Sequence, residues 1–498
     1  MRRILIRSGK APFHAAGAAE YLHRDLMGTN TGNLLFSDSA HKLLTTPSTE
    51  VTSNGIRTDH SAERAARINA EYDVFVVPLA NAFRPSFQAS LDRLSTLIEQ
   101  LTIPVVVLGV GAQVGADYNT DELRPMASSV RRFAAAVLER SASIGVRGEL
   151  TASYLAGLGF RDVDIIGCPS MFLHGDTFPD IRTPEQPFGP DARLAINLSP
   201  DAIPVGDIAG LAARARARFP HLTYFAQNLV DAETLFWGDT SPEDGRGGDF
   251  PLQLSHPLYQ EDRVVVPLDP KTWIEDLAAY DFAYGTRIHG NIAALLAGTP
   301  AVVLAHDSRT LELCRYFDIP YRMLDELPAD TEPEDLYAAA DYAPMLKGHR
   351  ERFRRFTAFL DRNQLENTFD HGDGGAAFDA RLDAVDLPPS LRLWDGSDDG
   401  ALRYRFSRLR EQHARAGRRL DALTKKNDQL KKELAGAQKR AEKATAAFEG
   451  RLAELERQLA AVGPRVAAAE TKIAGIDRRL MVRLGPAIRR RVRRTGGI

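Results

Sequence analysis

The chain has few cysteines and no long apolar run. Cys168 and Cys314 are its two cysteines, and their spacing suits neither a disulfide framework nor a metal site, so we read both as small buried hydrophobes. No apolar stretch approaches the roughly 20 residues of a membrane-spanning helix. The basic segment Met1–Arg7 lacks the apolar region of a secretory signal. These absences predict a cytoplasmic protein.

Several signatures of catalysis and of cofactor binding are also missing. The sequence has no Gly-x-x-x-x-Gly-Lys-Ser/Thr loop, no zinc-type Cys/His cluster and no Gly-x-Ser-x-Gly elbow, so an ATPase, a metalloenzyme and a serine hydrolase lose support. Gly109–Gln113 follows a strand but lacks the third glycine and the acidic residue of a dinucleotide fingerprint. We therefore predict no metal and no cofactor. The net charge of -3 argues against nucleic acid as a partner.

Short apolar runs and amphipathic helical stretches alternate as far as about Gln364. This pattern is typical of a parallel sheet covered by helices on both faces, and 44% hydrophobic residues suffice for its core. A Pro- and Gly-rich stretch at 183–190 divides the pattern in two. The sequence thus predicts an α/β fold with two Rossmann-like domains, residues 1–188 and 189–366, facing a cleft.

The apolar runs mark the predicted strands. In the two predicted domains they lie at 4–6, 73–78, 104–111, 143–147 and 163–167, and at 194–198, 222–226, 263–268, 281–285 and 301–305. Helices are predicted between them, for example at 34–44 and 128–140.

The sequence after Asn367 changes character. Residues 367–401 are rich in Asp, Gly and Pro and are predicted to form a linker. In residues 402–482 apolar and small side chains recur at alternating three- and four-residue spacing, with one stutter after Phe448, which predicts a coiled coil that joins copies of the chain. Asn427 could set its register. A single long surface helix is the alternative.

Two features follow near the C-terminus. Gly463 and Pro464 predict a break in the helix, after which a short second helix could fold back. The tail at 483–498 is basic, and its last ten residues contain no acidic side chain. It suits either peripheral contact with an anionic lipid surface at the inner face of the membrane or a solvated end without a partner.

The segment Tyr284–Gly290 carries the clearest chemical signal. It joins a buried strand to a helix, at the carboxyl end of the strand where open α/β sheets bind ligands. Arg287 could hold a phosphate or carboxylate, and His289 could transfer a proton near neutral pH. A structural arginine and a helix-capping histidine would fit the same spacing.

Three further segments follow the same logic. Arg309 opens the helix after the next strand, and Arg147 follows a strand in the first predicted domain, so both could face the cleft. The loop Gly28–Asn33 places Asn30 and Asn33 before a helix, where they could contact a sugar or a phosphate. Arginine, histidine and asparagine suit transfer chemistry on an anionic donor without a metal.

At these residues the chain resembles the polysaccharide pyruvyl transferase family. The resemblance runs from about Asn30 to Tyr321 and rests on motifs found in the family's order, namely 30–33, 143–159, 167–170, 286–290 and 307–309. The sequence departs from the family in two places: Val146–Glu149 reads Val-Arg-Gly-Glu where Arg-Asp is frequent, and Gly167–Ser170 reads Gly-Cys-Pro-Ser where an Asp-Pro-Ala-like element is expected.

The resemblance implies a glycosyltransferase-B-like fold and transfer of pyruvyl from phosphoenolpyruvate to two hydroxyls of a sugar, forming a ketal. The acceptor would be a cell-surface polysaccharide or its precursor, free or lipid-linked. In this interpretation Arg147, Arg287 and Arg309 hold the donor, and Asn30 and Asn33 line the cleft. His289 would act as general acid, protonating the enol carbon or assisting phosphate departure.

Two alternatives stay open. A nucleotide-sugar glycosyltransferase could have the same architecture, because a fold does not determine function. The chain could also be an assembly protein that binds a glycan without turnover and joins copies through its coiled coil.

Overall fold

The computed structural model describes residues 1–183, 188–238, 249–396 and 399–492, with side chains from 402 to 483 in the last range. The chain forms two compact units, Met1–Ser397 and Asp398–Ile498. Parallel sheets with helices build the first unit, and a long helix builds the second. The basic tail predicted at 483–498 lies, apart from Arg483, outside the residues whose side chains are described.

A four-stranded parallel sheet occupies the N-terminal part of the first unit. Its strands are β1 (Arg2–Ile6), which lies between β2 (Thr49–Ser53) and β3 (Val74–Pro78), and β4 (Val105–Leu108), which pairs with β3. Both β3 and β4 are buried throughout, as expected for strands covered on both faces. A short parallel pair, β5 (Ile144–Val146) and β6 (Val163–Ile165), follows through a bridge between Val110 and Val146.

A six-stranded parallel sheet forms the other part of the first unit. In chain order its strands are β7 (Leu194–Asn197), β8 (Thr223–Phe225), β9 (Val264–Val265), β10 (Phe282–Gly285), β11 (Ala301–Ala305) and β12 (Tyr321–Met323). The spatial order is β12-β11-β10-β7-β8-β9, so the order reverses between β7 and β10. In the first sheet it reverses between β1 and β3. Such reversals open the crevices in which α/β sheets bind ligands.

Helices connect the strands. They are α1 (Ala18–Arg24), α2 (Gly32–Leu44), α3 (Ala62–Glu71), α4 (Gln88–Glu99), α5 (Ala127–Leu138), α6 (Glu149–Gly157), α7 (Ile208–Arg218), α8 (Leu229–Trp237), α9 (Pro257–Gln260), α10 (Pro270–Leu277), α11 (Ile288–Leu296), α12 (Ser308–Phe317), α13 (Pro333–Ala338), α14 (Ala343–Arg362), α15 (Ala376–Asp383) and α16 (Asp399–Val492).

One apolar core joins the two sheets. It contains Ile4 and Val76 of the first sheet, Ala283 and Val303 of the second, and residues of α2 and α11. Each sheet has a separate core on its other face. Helix α14 returns toward the first sheet and places Phe359 in the shared core. The two sheets therefore belong to one compact unit, and the predicted boundary at 188/189, next to the undescribed residues 184–187, stays a prediction.

The parallel α/β architecture predicted from the sequence is confirmed, but strands β2 and β12 were not predicted. Both are edge strands, β2 with the sequence TEVTS and β12 with YRM. Their side chains alternate between sheltered and exposed or are only partly buried, so neither strand needs a continuous apolar run.

The predicted linker is part of the first unit. Residues 367–396 contain α15, and Leu391 exchanges backbone hydrogen bonds of 2.8 and 2.9 Å with Val266. Its polar residues make local caps: the Asn367 side chain accepts from the Phe369 amide, and Asp373 accepts from Gly375. The linker prediction is wrong because the turn-forming residues here cap a short, packed helix and do not form an extended connection.

The break predicted at Gly463 and Pro464 is also wrong, since α16 runs without interruption from Asp399 to Val492. Proline removes one backbone hydrogen bond and costs a helix roughly 3 kcal/mol. In a helix of 94 residues the remaining bonds outweigh that loss. Within the described ranges, no helix is both long and apolar enough to cross a membrane.

Candidate functional site

A cleft of about 1240 Å³ lies in the first unit at the carboxyl ends of the strands. Residues that follow strands of both sheets line it. They include all six residues singled out from the sequence, namely Asn30, Asn33, Arg147, Arg287, His289 and Arg309. The fold thus brings together side chains separated by up to 279 positions, although their roles stay predictions at this stage.

The turn after β10 is tightly fixed. A Cβ at Gly285 would lie 1.9 Å from the Asn197 carbonyl oxygen, so a side chain is excluded there. The Thr286 hydroxyl accepts from the Ser199 amide at 2.7 Å, and the Arg287 amide donates to Asn197 Oδ1 at 2.9 Å. These bonds join the ends of β7 and β10, and so fix where the Arg287 side chain begins.

The Arg287 guanidinium is held by neutral acceptors. Its Nε donates to the Leu198 carbonyl at 3.2 Å, and Nη2 donates to Asn228 Oδ1 at 2.6 Å. Burial, followed by the nearby cation Arg309, lowers the pKa of Arg287 below its usual range, while Asp231 opposes them. The contacts orient this cation without neutralising it.

His289 lies in the first turn of α11, between an aromatic ring and a thiol. The Phe36 ring stacks near it at 6.0 Å between centroids, and Cys168 Sγ lies 3.5 Å from Nε2. Burial first, and then Arg147 and Arg309, lower the pKa of His289 to about 3. The imidazole is therefore neutral at neutral pH when the cleft holds no anion.

Arg147 lies at the floor of the cleft. It is 2% exposed, and its Nε and Nη1 atoms are inaccessible and lack a hydrogen-bond partner. A Cβ at Gly111 would lie 3.1 Å from Nε, so this glycine makes room for the guanidinium. Burial lowers the pKa of Arg147, with Glu312 as the main opposing charge. Glu312 itself accepts hydrogen bonds from the Thr151 amide and hydroxyl.

Arg309 differs from Arg147 because it has an acidic partner. Its Nε lies 3.2 Å from Asp307 Oδ2. Asp307 also caps α12 by accepting from the Thr310 amide at 2.9 Å. Burial alone would raise the pKa of Asp307, but Arg309 and His306 hold it below its usual value. Arg309 is thus a cation already partly compensated by the protein.

The Asn30 and Asn33 side chains shape their own loop. Asn33 Nδ2 donates to the carbonyls of Met27 and Gly28 at 3.0 and 2.9 Å, and Asn30 Oδ1 accepts from the Gly32 amide at 2.8 Å. These bonds support a backbone with positive φ at Gly28 and Thr29. Both asparagines border the cleft, but Asn33 donates both of its side-chain amide protons to carbonyls of the loop.

The sequence analysis missed Arg84. It lines the cleft from the loop after β3, and the pKa of Arg84 falls to about 10 through burial, followed by Arg309 and Arg147. Arg84 therefore belongs to the same positive field as these two. The rule that selected Arg147, a cation beyond a strand end, also applies here, but five residues separate Arg84 from β3.

Asn228 and Gln227 were missed as well. They follow β8, and Asn228 orients Arg287 while the buried Gln227 lines the cleft. Within the described ranges, no group of three or more His, Cys, Asp and Glu side chains is arranged to hold a metal ion.

Comparison with known families gives one match. The model of the family described as polysaccharide pyruvyl transferase matches residues 52–308, slightly more than half of the chain. The matched range contains Arg147, Arg287 and His289 and ends just before Arg309. No curated protein matches the chain at a significant level.

Solved structures give weaker likenesses. A Staphylococcus aureus MnaA–UDP structure is 12% identical, with 78% of this chain and 99% of that chain covered and a TM-score of 0.37. A putative UDP-N-acetylglucosamine 2-epimerase from Listeria monocytogenes is 12% identical, with 78% and 98% covered and a TM-score of 0.35. The Methanocaldococcus jannaschii UDP-GlcNAc 2-epimerase with UDP-GlcNAc and UDP is 10% identical, with 77% and 99% covered and a TM-score of 0.34.

Proposed function

Since this chain belongs to the polysaccharide pyruvyl transferase family and is an enzyme of that kind, we propose that it transfers pyruvyl from phosphoenolpyruvate to two hydroxyls of a sugar. The sugar belongs to a cell-surface polysaccharide or its precursor, and the product is a cyclic ketal. The observation that carries this proposal is the buried guanidinium of Arg147, whose Nε and Nη1 lack partners at the floor of the cleft.

The excess of positive charge supports an anionic donor. Beyond the effect of burial, Arg309 lowers the pKa of Arg84, Arg147 and Arg287, and together with Arg147 it also lowers that of His289. Burying a cation without a counter-charge is unfavourable, so such a site gains most from an anion. Phosphoenolpyruvate carries a phosphate and a carboxylate and thus uses several guanidinium groups at once.

Donor binding would also change His289. Its pKa is about 3 because of burial and of Arg147 and Arg309. An anion beside those arginines offsets the electrostatic part of that effect and raises the pKa of the imidazole. Burial, the larger cause of the low pKa, remains, so protonation also requires that an anionic oxygen of the donor pairs directly with the imidazolium; His289 then acts as the general acid.

The chemistry balances with this single acid. A proton added to the methylene carbon C3 makes C2 electrophilic, and the first sugar hydroxyl forms a bond to C2 and releases its proton. The C2–O bond to phosphate then breaks, and the second hydroxyl adds to C2 and releases its proton. One hydroxyl proton replaces the one consumed at C3, and the other leaves on the phosphate. The guanidinium groups stabilise the charge that develops on the departing phosphate.

The size of the cleft leaves room for the sugar. At about 1240 Å³ it exceeds the roughly 300–1,000 Å³ of ordinary small-molecule sites, and phosphoenolpyruvate is a small ligand. Beyond the arginines its lining includes Asp25, Asn30, Asp201, Asn228 and Glu233. Carboxylates and amides of this kind accept from and donate to sugar hydroxyls. We assign the acceptor to this part of the cleft, with Asn33 holding the loop in place.

The test uses the full chain with phosphoenolpyruvate and lipid-linked or nucleotide-linked sugars. We expect donor-dependent phosphate release together with the mass gain of a pyruvate ketal on the sugar. Arg287→Ala should lose this activity, while Arg350→Ala, which removes an arginine that is 65% exposed, should keep it. Turnover of a nucleotide sugar with no response to phosphoenolpyruvate would instead establish a glycosyltransferase.

A further inference from the structure

Helix α16 exposes a line of large apolar side chains. Leu420, Leu430, Leu434, Leu455 and Ile473 are between 53% and 65% exposed in the single chain. Fully burying one leucine or isoleucine side chain contributes about 1.5–3 kcal/mol relative to leaving it in water. A helix with one apolar stripe and otherwise charged faces is stabilised mainly by a partner on that stripe.

The stripe is continuous over two stretches of regular spacing. From Leu420 to Phe448 and again from Leu452 to Leu480, seam residues recur at alternating steps of three and four, with one step of four between the stretches. We label the seam positions a and d. The seam positions are, in order, 420, 423, 427, 430, 434, 437, 441, 444 and 448, and then 452, 455, 459, 462, 466, 469, 473, 476 and 480.

The uninterrupted helix places Gly463 and Pro464 off this seam. They follow Val462, a d position, and so occupy e and f, with f on the side away from the seam. The heptad phase is the same at Leu459 and at Val466, on either side of the proline. The seam therefore extends over roughly 90 Å, counted at about 1.5 Å for each residue from Leu420 to Leu480.

We infer that a second copy of this chain covers the seam, as a parallel, in-register, two-stranded coiled coil. The seam is long enough for this partner. It is also narrow, because the e and g positions beside it are mostly polar or charged, for example Lys426, Lys431, Arg465 and Glu470. This supports two strands rather than a larger bundle.

Asn427 gives the direction and the register. It is the polar residue at an a position, between Leu423 and Leu430. A buried polar group needs a polar partner, since leaving it unpaired costs roughly 1–3 kcal/mol. In a parallel, in-register pair each Asn427 meets the same residue of the other copy. An antiparallel or shifted pair places both asparagines against apolar side chains, and a single a-position asparagine is known to specify register in this way.

Flanking charges add a smaller preference in the same direction. In a parallel pair a g residue faces the e residue five positions further along the other chain. Arg465 then faces Glu470, and Lys472 faces Asp477, while Lys426 and Lys431 form one like-charged pair. Exposed pairs contribute about 0.2–1 kcal/mol each, so these charges refine the arrangement that Asn427 sets.

Single introduced cysteines in the full chain test direction and register. The natural cysteines, Cys168 and Cys314, are buried and do not interfere. Leu423→Cys and Ile476→Cys each place one thiol at a d position near one end of the seam. We expect each variant to form a disulfide dimer with itself on mild oxidation, and a mixture of both variants to form no 423–476 cross-link. A cross-link that appears only in the mixture shows antiparallel chains and overturns the inference.

A matched pair of alanine substitutions tests the seam itself. Ala437→Glu changes a d position, whereas Ala435→Glu makes the same change at the exposed b position two residues away. In solution the native chain and Ala435→Glu should both have a mass of twice 54.8 kDa. The dissociation constant of the Ala437→Glu dimer should be at least tenfold higher than theirs. A monomeric native chain, a mass of three or four copies, or equal behaviour of both variants would contradict the proposal.

Discussion

Two buried polar clusters of the first unit differ in how their charges are compensated. In the cleft, Arg147 is 2% exposed and has two nitrogen atoms without a partner. Elsewhere in the first unit, Lys10 Nζ lies 2.7 Å from Asp269 Oδ2, and both side chains are 2% exposed. Lys10 follows β1 and Asp269 caps α10, so this pair joins the two sheets. The comparison indicates that the Lys10–Asp269 pair stabilises the fold, whereas the unpaired nitrogen atoms of Arg147 are available to bind a ligand.

The largest effect should come from the unpaired cluster. His289→Asn removes the general acid, and positioned acids contribute typically about 10²–10⁴-fold in rate. We expect turnover with phosphoenolpyruvate to fall by about that factor while the thermal unfolding midpoint changes little. His60→Asn, at an exposed histidine, is the control. Unchanged turnover in the His289 variant would show that His289 is not the general acid.

The paired cluster should respond in stability instead. Lys10→Met leaves Asp269 buried without its cation, and breaking such a pair costs about 3–5 kcal/mol. Denaturant unfolding measures this loss, and the fraction that remains folded should keep its turnover. Arg3→Met breaks an exposed pair with Asp73 and should cost no more than about 1 kcal/mol. Similar losses for the two variants would mean that the Lys10 pair does not join the sheets.

The same cluster predicts a pH dependence. Burial raises the pKa of Asp38 to about 8, with Asp269 adding to it and Lys10 opposing it. A folded-state pKa above the unfolded value favours folding at low pH, and that share of the stability is lost as pH rises from about 4 to 8. Asp38→Asn should therefore gain unfolding free energy relative to the native chain between pH 5 and pH 8. A difference that stays constant over this range would show that Asp38 is charged in the fold.

Donor binding should move protons in the unpaired cluster. Because phosphoenolpyruvate offsets the field of Arg147 and Arg309, His289 should take up as much as one proton on binding. Titration calorimetry in buffers of different ionisation enthalpy measures this uptake, and subtracting the His289→Asn result isolates it from the phosphate's own titration. Equal proton uptake by the native chain and by His289→Asn would show that a group other than His289 takes up the proton.

The smallest effect concerns the loop that borders the cleft. Asn33→Ala removes two hydrogen bonds to the carbonyls of Met27 and Gly28, and each such bond contributes about 0.5–1.5 kcal/mol. We expect a loss of about 1–3 kcal/mol in unfolding free energy and a higher KM for the sugar. A change in kcat alone would indicate direct contact with the reacting atoms instead.

Sequence patterns predicted what depends on burial and strand order. The apolar runs of β3, β4 and β11 are recognisable in the sequence because both faces of each strand are buried. Arg287 and His289 could be predicted because they follow β10 closely. The patterns failed where the burial of an edge strand is partial, as in β2, or where distance along the chain separates a side chain from its strand, as for Arg84. They also could not show which charges are paired, since Lys10 and Asp269 are 259 positions apart.

Composition misled in two other places. Turn-forming residues predicted a linker after Asn367, but Asn367 and Asp373 cap short helical segments that pack within the first unit, where Lys42 of α2 pairs with Asp379 of α15. Gly463 and Pro464 predicted a break, but both fall off the apolar seam of a long helix. In both places the local preference was read correctly and the surrounding structure outweighed it.

The central claim is that the arginines of the cleft, above all the unpaired Arg147, hold the donor, and calorimetric titration of phosphoenolpyruvate tests it most directly. The native chain and Arg350→Met, altered at an exposed arginine, should bind the donor alike. Arg147→Met should lose affinity by tenfold or more while its unfolding free energy stays the same or rises, because a buried cation with two nitrogen atoms that lack a hydrogen-bond partner has been removed. Unchanged donor affinity in Arg147→Met, or a large loss of stability, would contradict the account.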